Sequence, residues 1–537
     1  MNQLLGEEIF DVCVVGAGPA GLTVALECEA AGLSVLLLEA GDVGSSVPVP
    51  ALRAAHILDT ARHASLDVAT RNGLGGTSAV WGGRCVPFDD VDFQVRPFVP
   101  HSGWPIAQRD LDRWCLKAAD YLQCGDSGFV LPLENWPNRS DLCVDTVERL
   151  SSHPRLGQRF AEKLRTSPKL KLRLEHLVAD LEIDESGDSV RAVKIKDKSS
   201  SQISARARTF VLACGGLHTT RLLLKLQQMW PERFGGEDGA LGRYYMGHLT
   251  GAIATISLQD PSDVRRFDYS RDKDHHWFRR RFTLPSTTQL QHQICNIAFW
   301  LGNPPLHDPS HGSAAASSIY LGIRTLGRKS VPTEFFALHG DASDQIRGHI
   351  RNILANPVDA GAGIARAVAY RMTTDELRPF FLRNRRGRYA LHYHSEQIPN
   401  PVNRVKMVGD EPCRSRMSIN FKFSEEDALS VIRGHEILDS ALRKSGKGYL
   451  TYWKPREERL EQVLEQARDG YHQIGCARMS DSENKGVVDR DCRVYGFRNL
   501  YLASTAVFPT SGQANPTFLA VALAGRLADH LRRNAVH

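Results

Sequence analysis

Near its start the chain reads Gly16-Ala-Gly18-Pro-Ala-Gly21, directly after the apolar run Val12 to Val15 and directly before a helical stretch reaching Ala31-Gly32. Glycines at that spacing constrain the fold more than any other feature, because they demand strand, tight turn and helix in that order. The first glycine permits the turn, the second lets the backbone approach a pyrophosphate, and the third lets helix and strand pack closely. The helix N-terminus adds partial positive charge for an anion. A second strand, Ser34 to Leu38, delivers Glu39, whose carboxylate suits a ribose diol and repels a 2'-phosphate. An α/β fold with a Rossmann-like dinucleotide domain is expected, and these residues alone leave NAD and FAD both open.

At 537 residues the chain exceeds one ordinary core, so two intimately packed domains are expected. Apolar content of 42% and 24% charge describe a soluble globular protein. The formal charge of +6 by itself argues neither for nor against nucleic acid, and no dense basic tail points to such a partner. Glu7 and Glu8 break any secretory signal, which makes a cytoplasmic location the default, and no apolar run approaches a bilayer span. The 11 cysteines lack CxxC spacing and sit in apolar contexts, so neither disulfides nor a metal site is expected.

The stretch Arg71 to Arg84 contains Gly75, Gly76 and Thr77 followed by Val80 and Trp81, and it is too rich in glycine to be a regular element. Such a loop lets backbone approach a ligand, and Val80 and Trp81 are poor surface residues, which favours a functional reading over a plain connection. From Leu170 onward, three short alternating strands, Leu170 to Leu174, Val178 to Ile183 and Val190 to Ile195, predict a β-meander. A buried strand then resumes at Thr209 and ends in Gly215-Gly216, so the nucleotide domain is discontinuous in sequence. Met417, Ile419, Phe421 and Phe423 alternate with polar residues, and Ser424 to Asp427 reads as a capping box opening a helix that ends near Gly446. This region is expected to be a mostly antiparallel sheet backed by helices.

Two arginine clusters, Trp277 to Phe282 and Arg378 to Arg388, interleave cations with aromatics or lie in a loop. Contact with an anionic partner is one reading; arginines on the wet face of a strand and in a solvated loop is the favoured one. At the C-terminus, Asn515-Pro516 precedes an apolar helical pattern running to Leu531, which places Asn515 at the N-cap and Pro516 at the first helical position. The strand Asn499 to Ser504 returns this helix to the nucleotide fold, where its positive end can face a cofactor.

Together with His472-Gln-Ile-Gly-Cys-Ala-Arg-Met479, Ala213-Cys-Gly-Gly216, Leu241 to His248, Pro399 to Val405, Gly486 to Asp489 and Arg493 to Gly496, these motifs resemble the glucose-methanol-choline (GMC) oxidoreductases over the whole chain, most closely the pyranose 2-oxidase branch. The resemblance implies FAD, with Glu39 on the adenosine ribose, Val178 beside the adenine, and Gly16, Gly18, Gly21, Gly75, Gly76, Thr77, Val80, Trp81, Ser504, Asn515, Pro516 and Thr517 around the cofactor. It implies a discontinuous FAD domain over 1–100, 165–250 and 470–537 and a substrate domain over 101–164 and 251–469. It makes His472 and Asn515 the catalytic pair: the histidine takes a hydroxyl proton while hydride goes to flavin N5, and Asn515 steadies the developing alkoxide. Taken alone, His472 reads as an ordinary core histidine.

The implied reaction is oxidation of a CH–OH group to a carbonyl, on a sugar or glycoside, with oxygen, a quinone or a protein as electron acceptor. A non-sugar alcohol and a non-catalytic flavin-binding scaffold are the competing expectations. Pyranose 2-oxidases attach FAD through a histidine where this chain has Val80, so FAD is expected to be non-covalent. The family usually carries threonine where this chain has Cys476, and a packing substitution is the expectation there.

Overall fold

The glycine turn dictates the architecture at its first corner. Gly16 has φ +106°, and a Cβ on it would lie 2.6 Å from the Ala213 carbonyl oxygen; one on Gly21 would lie 1.9 Å from the Gly16 carbonyl oxygen. Strand Gln3–Val15 can therefore pass directly into helix Pro19–Ala30 only with glycine at both places. In this computed structural model the described residues are 3–44, 48–125, 128–136, 141–197, 202–303, 306–326, 345–372, 381–383, 386–409 and 415–534.

Strand Gln3–Val15 pairs in parallel with Val35–Leu38 on one side and Gln202–Leu212 on the other. Leu500–Leu502 also pairs in parallel with Gln202–Leu212, and Leu170–Arg173 extends the opposite edge in parallel with Val35–Leu38. Leu177–Ile183 and Val190–Lys196 complete this 7-stranded sheet as antiparallel neighbours. The expected meander is thus corrected at its first member. Leu170–Arg173 alternates in sequence like a hairpin strand, yet it closes the edge of the parallel sheet, and only the later strands form the antiparallel excursion. Helix Pro19–Ala30 packs against the C-terminal helix Thr517–Asn534 through an apolar core that includes Leu22, Leu26, Phe518 and Val521.

The other large layer is a 5-stranded antiparallel sheet in the order Phe282–Thr283, Ile297–Gly302, Arg388–Glu396, His248–Leu258, Gly448–Tyr452. Helix Glu425–Lys444 backs it, opened by the expected capping box of Ser424 and Asp427, and Leu438, Phe299 and Tyr389 share its core. A 4-stranded sheet carries Arg84–Cys85, Val147–Leu150, Trp277–Arg280 and Ser270–Arg271.

Two further expectations change. The first hydrogen bond of the C-terminal helix runs from Ala520 N–H to the Pro516 carbonyl, so Pro516 is the cap and Asn515 stands one residue outside the helix. The Asn515 side chain makes its hydrogen bond elsewhere. In the first arginine cluster, Arg279 and Arg281 are buried at 5% and 4% exposure instead of lying on a wet face. The strand does alternate, but the face carrying these two is turned inward onto a glutamate and a tryptophan. Of the second cluster, Arg383 is described and pairs with Asp268 at 2.7 Å; Arg378 and Arg385 lie outside the described residues.

Candidate active site

A cleft of about 1290 Å3, counted to its open mouth, runs along the carboxyl ends of the parallel strands, where open α/β sheets bind ligands. Gly16, Gly18, Glu39 and Val178 line one part of it, Gly76, Thr77 and Trp81 form part of its wall, and His472, Ser504, Pro516 and Thr517 also line it. A Cβ on Gly18 would meet nothing within 4 Å, so the second glycine faces open space, and one on Gly76 would lie 3.0 Å from the Gly18 Cα. Two glycine loops therefore meet backbone to backbone at the mouth of the first helix, a cradle for a pyrophosphate. Glu39 accepts N–H groups of Ala17, Gly41 and Gly73 at 2.8, 3.0 and 2.9 Å. Burial raises its carboxyl above the usual range while those backbone donors oppose the rise. A carboxylate offers about four lone-pair positions, which leaves room for one ribose hydroxyl.

Four expected contact residues are not in the cleft wall. Gly21 and Gly75 shape it from behind; a Cβ on Gly75 would lie 2.5 Å from the Gly157 nitrogen. Val80 is 47% exposed and stands just after the 3-10 turn Gly76–Ala79, next to Trp81 of the cleft wall. Asn515 lies beside the wall, bound to His472. Cys476 is buried and also outside the wall, and burial pushes its thiol up, in keeping with a packing role.

The chemistry gathers around His472. Its Nδ1 lies 2.9 Å from Asp469 Oδ2 and 3.0 Å from His248 Nδ1, and Asn515 Nδ2 lies 3.0 Å from its Nε2. Carbonyl oxygens assign the protons, since a carbonyl can only accept. His248 Nε2 donates to the Ser511 carbonyl at 3.2 Å, which leaves its Nδ1 bare; His394 Nδ1 donates to the Gln513 carbonyl at 2.6 Å, which leaves its Nε2 bare. His472 Nδ1 must then carry the proton toward Asp469, and its Nε2 presents a lone pair toward Asn515. Burial keeps His248 and His394 below the usual imidazole range, so both are neutral near pH 7. Asp469 is held well below the usual carboxylate range: burial would raise it, but His472 and His248 overcome that, and it also accepts N–H groups of His248, Tyr471 and His472.

Asp469, His248 and His394 were not singled out from the sequence. Asp469 stands three residues before His472, a spacing that lets a turn bring the carboxylate back onto the ring. His248 and His394 belong to adjacent antiparallel strands, with Thr250 opposite His394 and His248 opposite Glu396. They are diagonal neighbours on one face, and their rings stack at 4.1 Å. The ring nitrogens of His248, His394 and His472 lie within 4.8 Å of one another, a spacing that also suits a cation, so the expectation of no metal-ligating group is qualified here. Both nitrogens of His472 are already engaged by hydrogen bonds. Among the described residues, no helix is long and apolar enough to cross a membrane.

Residues 399–524 match the family described as GMC oxidoreductase, and residues 11–122 match the FAD dependent oxidoreductase family. The chain is 24% identical over 323 residues to 6'''-hydroxyparomomycin C oxidase of Streptomyces lividus, an alignment covering 48% of this chain and 57% of that protein. The match thus spans little more than half of the relative's length. Among solved structures, a fungal aryl-alcohol oxidase superposes with TM-score 0.53 at 14% identity, covering 99% of this chain and 100% of that one. Pyridoxine 4-oxidase from Mesorbium loti superposes with TM-score 0.50 at 15% identity, covering 97% and 98%. At these identities the superpositions speak for the fold.

Proposed function

We propose that this chain, which belongs to the FAD-dependent GMC oxidoreductases, oxidises a CH–OH group of a sugar or glycoside to a carbonyl, with His472 as the base and Asn515 as its partner. The observation that carries the reading is the unprotonated Nε2 of His472, on a ring that Asp469 holds through Nδ1, accepting from the Asn515 amide 3.0 Å away beside the dinucleotide cleft. A hydroxyl entering between the two gives its proton to Nε2 and accepts from the Asn515 amide as negative charge develops on its oxygen. As that proton leaves, the carbinol C–H bond weakens and C=O forms. Bound FAD supplies the acceptor for the departing hydrogen and its electron pair. Asp469 steadies the imidazolium that results, and His248 and His394, both neutral, add no competing charge.

FAD fits the cradle of Gly16, Gly18 and Gly76, with Glu39 and Val178 at the adenosine end and Ser504, Pro516 and Thr517 at the flavin end. The segments 1–100, 165–250 and 470–537 would then form the cofactor domain, and 101–164 with 251–469 the substrate domain. Because Val80 has no nucleophilic atom, the flavin is held without a covalent bond; acid precipitation should release all yellow colour to the supernatant. The sugar or glycoside reading draws support from the relative named for 6'''-hydroxyparomomycin C, and oxygen, a quinone or a protein then takes the electrons.

The test is anaerobic flavin absorbance during addition of sugars, glycosides and simple alcohols, in the wild type and in His472→Ala, followed by readmission of air. Bleaching by an alcohol, slowed about 10²–10⁴-fold in the variant without loss of bound flavin, is the expected result. Indifference of bleaching to His472→Ala would remove the assigned base. Rapid recovery of colour in air would mark oxygen as the acceptor.

A further inference from the structure

Beside the histidines stands a second group of side chains that the reaction as described does not use. In the 4-stranded sheet Arg279 pairs directly with Glu148, and Arg84 pairs with Leu150, two residues further along the same strand. Arg84, Glu148 and Arg279 therefore share one face, and Arg281, two residues beyond Arg279, continues it. That face meets the 5-stranded sheet at Trp300, which lies opposite His392 in the register and so on the same face as His394. The Arg84 guanidinium sits 4.5 Å from the Trp300 ring centroid and that of Arg279 sits 4.9 Å from it, while Trp300 and His394 are 6.5 Å apart. His394 is in turn 5.6 Å from His472.

The cations outnumber their partners. Glu148, wholly buried, takes Arg84 Nη2 on one oxygen and Arg279 Nη2 on the other, both at 2.5 Å. The Arg281 guanidinium has one hydrogen bond among the described residues, to Gln513 Oε1 at 2.6 Å. Asp89 is the other charged carboxylate nearby, engaged by Asn296 and by the Gln513 amide at 2.9 and 3.0 Å; Asp92 shares Asn296 with it, and burial beside Glu396 and Asp89 raises its carboxyl well above the usual range, so it offers no charge. Three guanidiniums thus face two carboxylates, and the buried Nε atoms of Arg279 and Arg281 have no hydrogen-bond partner. A network serving only to hold the fold would be neutral and saturated, since an unsatisfied buried charge is costly. Arg84 is the member open to solvent, with a side chain 27% exposed. Gln513 ties this group to the reaction: its side chain holds Arg281, its carbonyl fixes His394, and Asn515 follows two residues later.

We propose that the alcohol oxidised here carries an oxyanion, either a carboxylate or a phosphate or sulfate ester, which Arg84 grips with support from Arg279 and Arg281 while the carbinol rests at His472 and Asn515. The proposal builds on the oxidation reading above and narrows its substrate to acidic alcohols. Arginine suits this role because its planar fork meets carboxylate and phosphate oxygens in pairs.

The test uses the yellow holoenzyme. Matched pairs differing only in charge are compared by anaerobic flavin reduction: glucuronate, a glucose phosphate and a glucose sulfate against glucose, and 4-(hydroxymethyl)benzoate against benzyl alcohol. Inorganic phosphate, sulfate and benzoate are titrated separately against flavin absorbance. The expected result is about 10–100-fold higher kcat/KM for at least one acidic member, a KM that rises with salt, and loss of both the preference and the anion-induced spectral change in Arg84→Gln. Arg84→Lys, which keeps charge and loses the fork, should recover part of the preference. Which acidic member is favoured separates carboxylate from phosphate and sulfate recognition.

Equal rates for both members of every pair, with no spectral response to any anion, would overturn the proposal and leave alcohol oxidation standing. A preference that survives in a folded Arg84→Gln enzyme would also overturn it. Anion binding that depends on Arg84, in an enzyme that no alcohol bleaches, would uphold the anion site and remove the oxidation reading. If Arg84→Gln yields no folded protein, the wild-type titration and the Arg84→Lys comparison decide.

Discussion

The cofactor cleft and the histidine–arginine wall beside it are built on opposite plans. The cleft is made of backbone: glycines at 16, 18, 21 and 76 bring chain against chain, and Glu39 is satisfied by N–H groups. The wall is made of side chains: Arg84, Glu148, His248, Arg279, Trp300, His394 and Asp469 come from strands and turns far apart in the sequence, and each is defined by the partner it meets. At Gly16 and Gly21 the backbone cradle tolerates no added atom. A side-chain wall tolerates substitution at a cost set by what its partners are left without.

The largest effect expected tests the first half of that contrast. Gly21→Val places a branched side chain where even a Cβ would stand 1.9 Å from the Gly16 carbonyl oxygen. Strand and helix must separate, so the variant should be recovered colourless or insoluble, as judged by the ratio of flavin to protein absorbance. A yellow, stable Gly21→Val protein would break the comparison outright.

The next effect falls in the wall. Asp469→Asn removes the charge that fixes the Nδ1 proton of His472 and steadies the imidazolium. The rate of flavin reduction should fall about 10²–10⁴-fold, with flavin content unchanged and KM moving far less than kcat. Asp469 acts through His472 and is a positioning residue, so partial rescue by Asp469→Glu separates this role from simple destabilisation. If flavin is lost along with activity, cleft and wall are not separable.

That separation also explains what could be read from the sequence. Gly16-Ala-Gly18-Pro-Ala-Gly21, Glu39 and the capping box at Ser424 are local patterns in which spacing carries the geometry, and the Rossmann-like α/β fold followed from the first two. His472 and Asn515 were legible as members of motifs; their direct hydrogen bond was not, because Asn515 read as a helix cap until the helix proved to start one residue later. His248 and His394 meet only through strand register. Arg279 and Arg281 alternate exactly as exposed residues would, and periodicity marks that they share a face without saying which face turns inward. Val80 shows the converse: an apolar residue in a glycine-rich loop reads as a poor surface residue, yet it is 47% exposed.

A thermodynamic test comes third. Burial would raise the Glu148 carboxyl, but Arg279, Arg84 and Arg281 pull it down to about 2. A carboxyl depressed in the folded state contributes stability above its unfolded value, and that contribution fades as pH falls through the folded one. Wild-type stability should therefore fall between about pH 4.5 and pH 2 through a contribution of roughly 3 kcal/mol. Glu148→Gln leaves Arg84 and Arg279 without their shared anion and should cost about 3–5 kcal/mol near pH 7. Its stability should vary less with pH across that acid window, as chemical denaturation at stepped pH will show. Added phosphate or sulfate should recover part of the loss if the wall is an anion site.

The smallest effect is expected at Cys476, buried in the first core four residues after His472. The thiol is 1% exposed, lies outside the cleft wall, and is raised by burial with Thr220 as its hydrogen-bonding neighbour. A thiol kept protonated and covered is a poor nucleophile and a poor target for oxidation. Cys476→Thr restores the residue usual in the resembling family and gives its hydroxyl Thr220 as a partner, so stability should change by no more than about 1 kcal/mol and the flavin reduction rate by less than about 3-fold. Iodoacetamide should leave Cys476 unmodified in the folded wild type, which mass mapping can check. A rate change beyond 10-fold would mean that the loop after His472 is under the same tight backbone control as the glycine cradle, and the boundary drawn between cleft and wall would have to move past Cys476 toward His472.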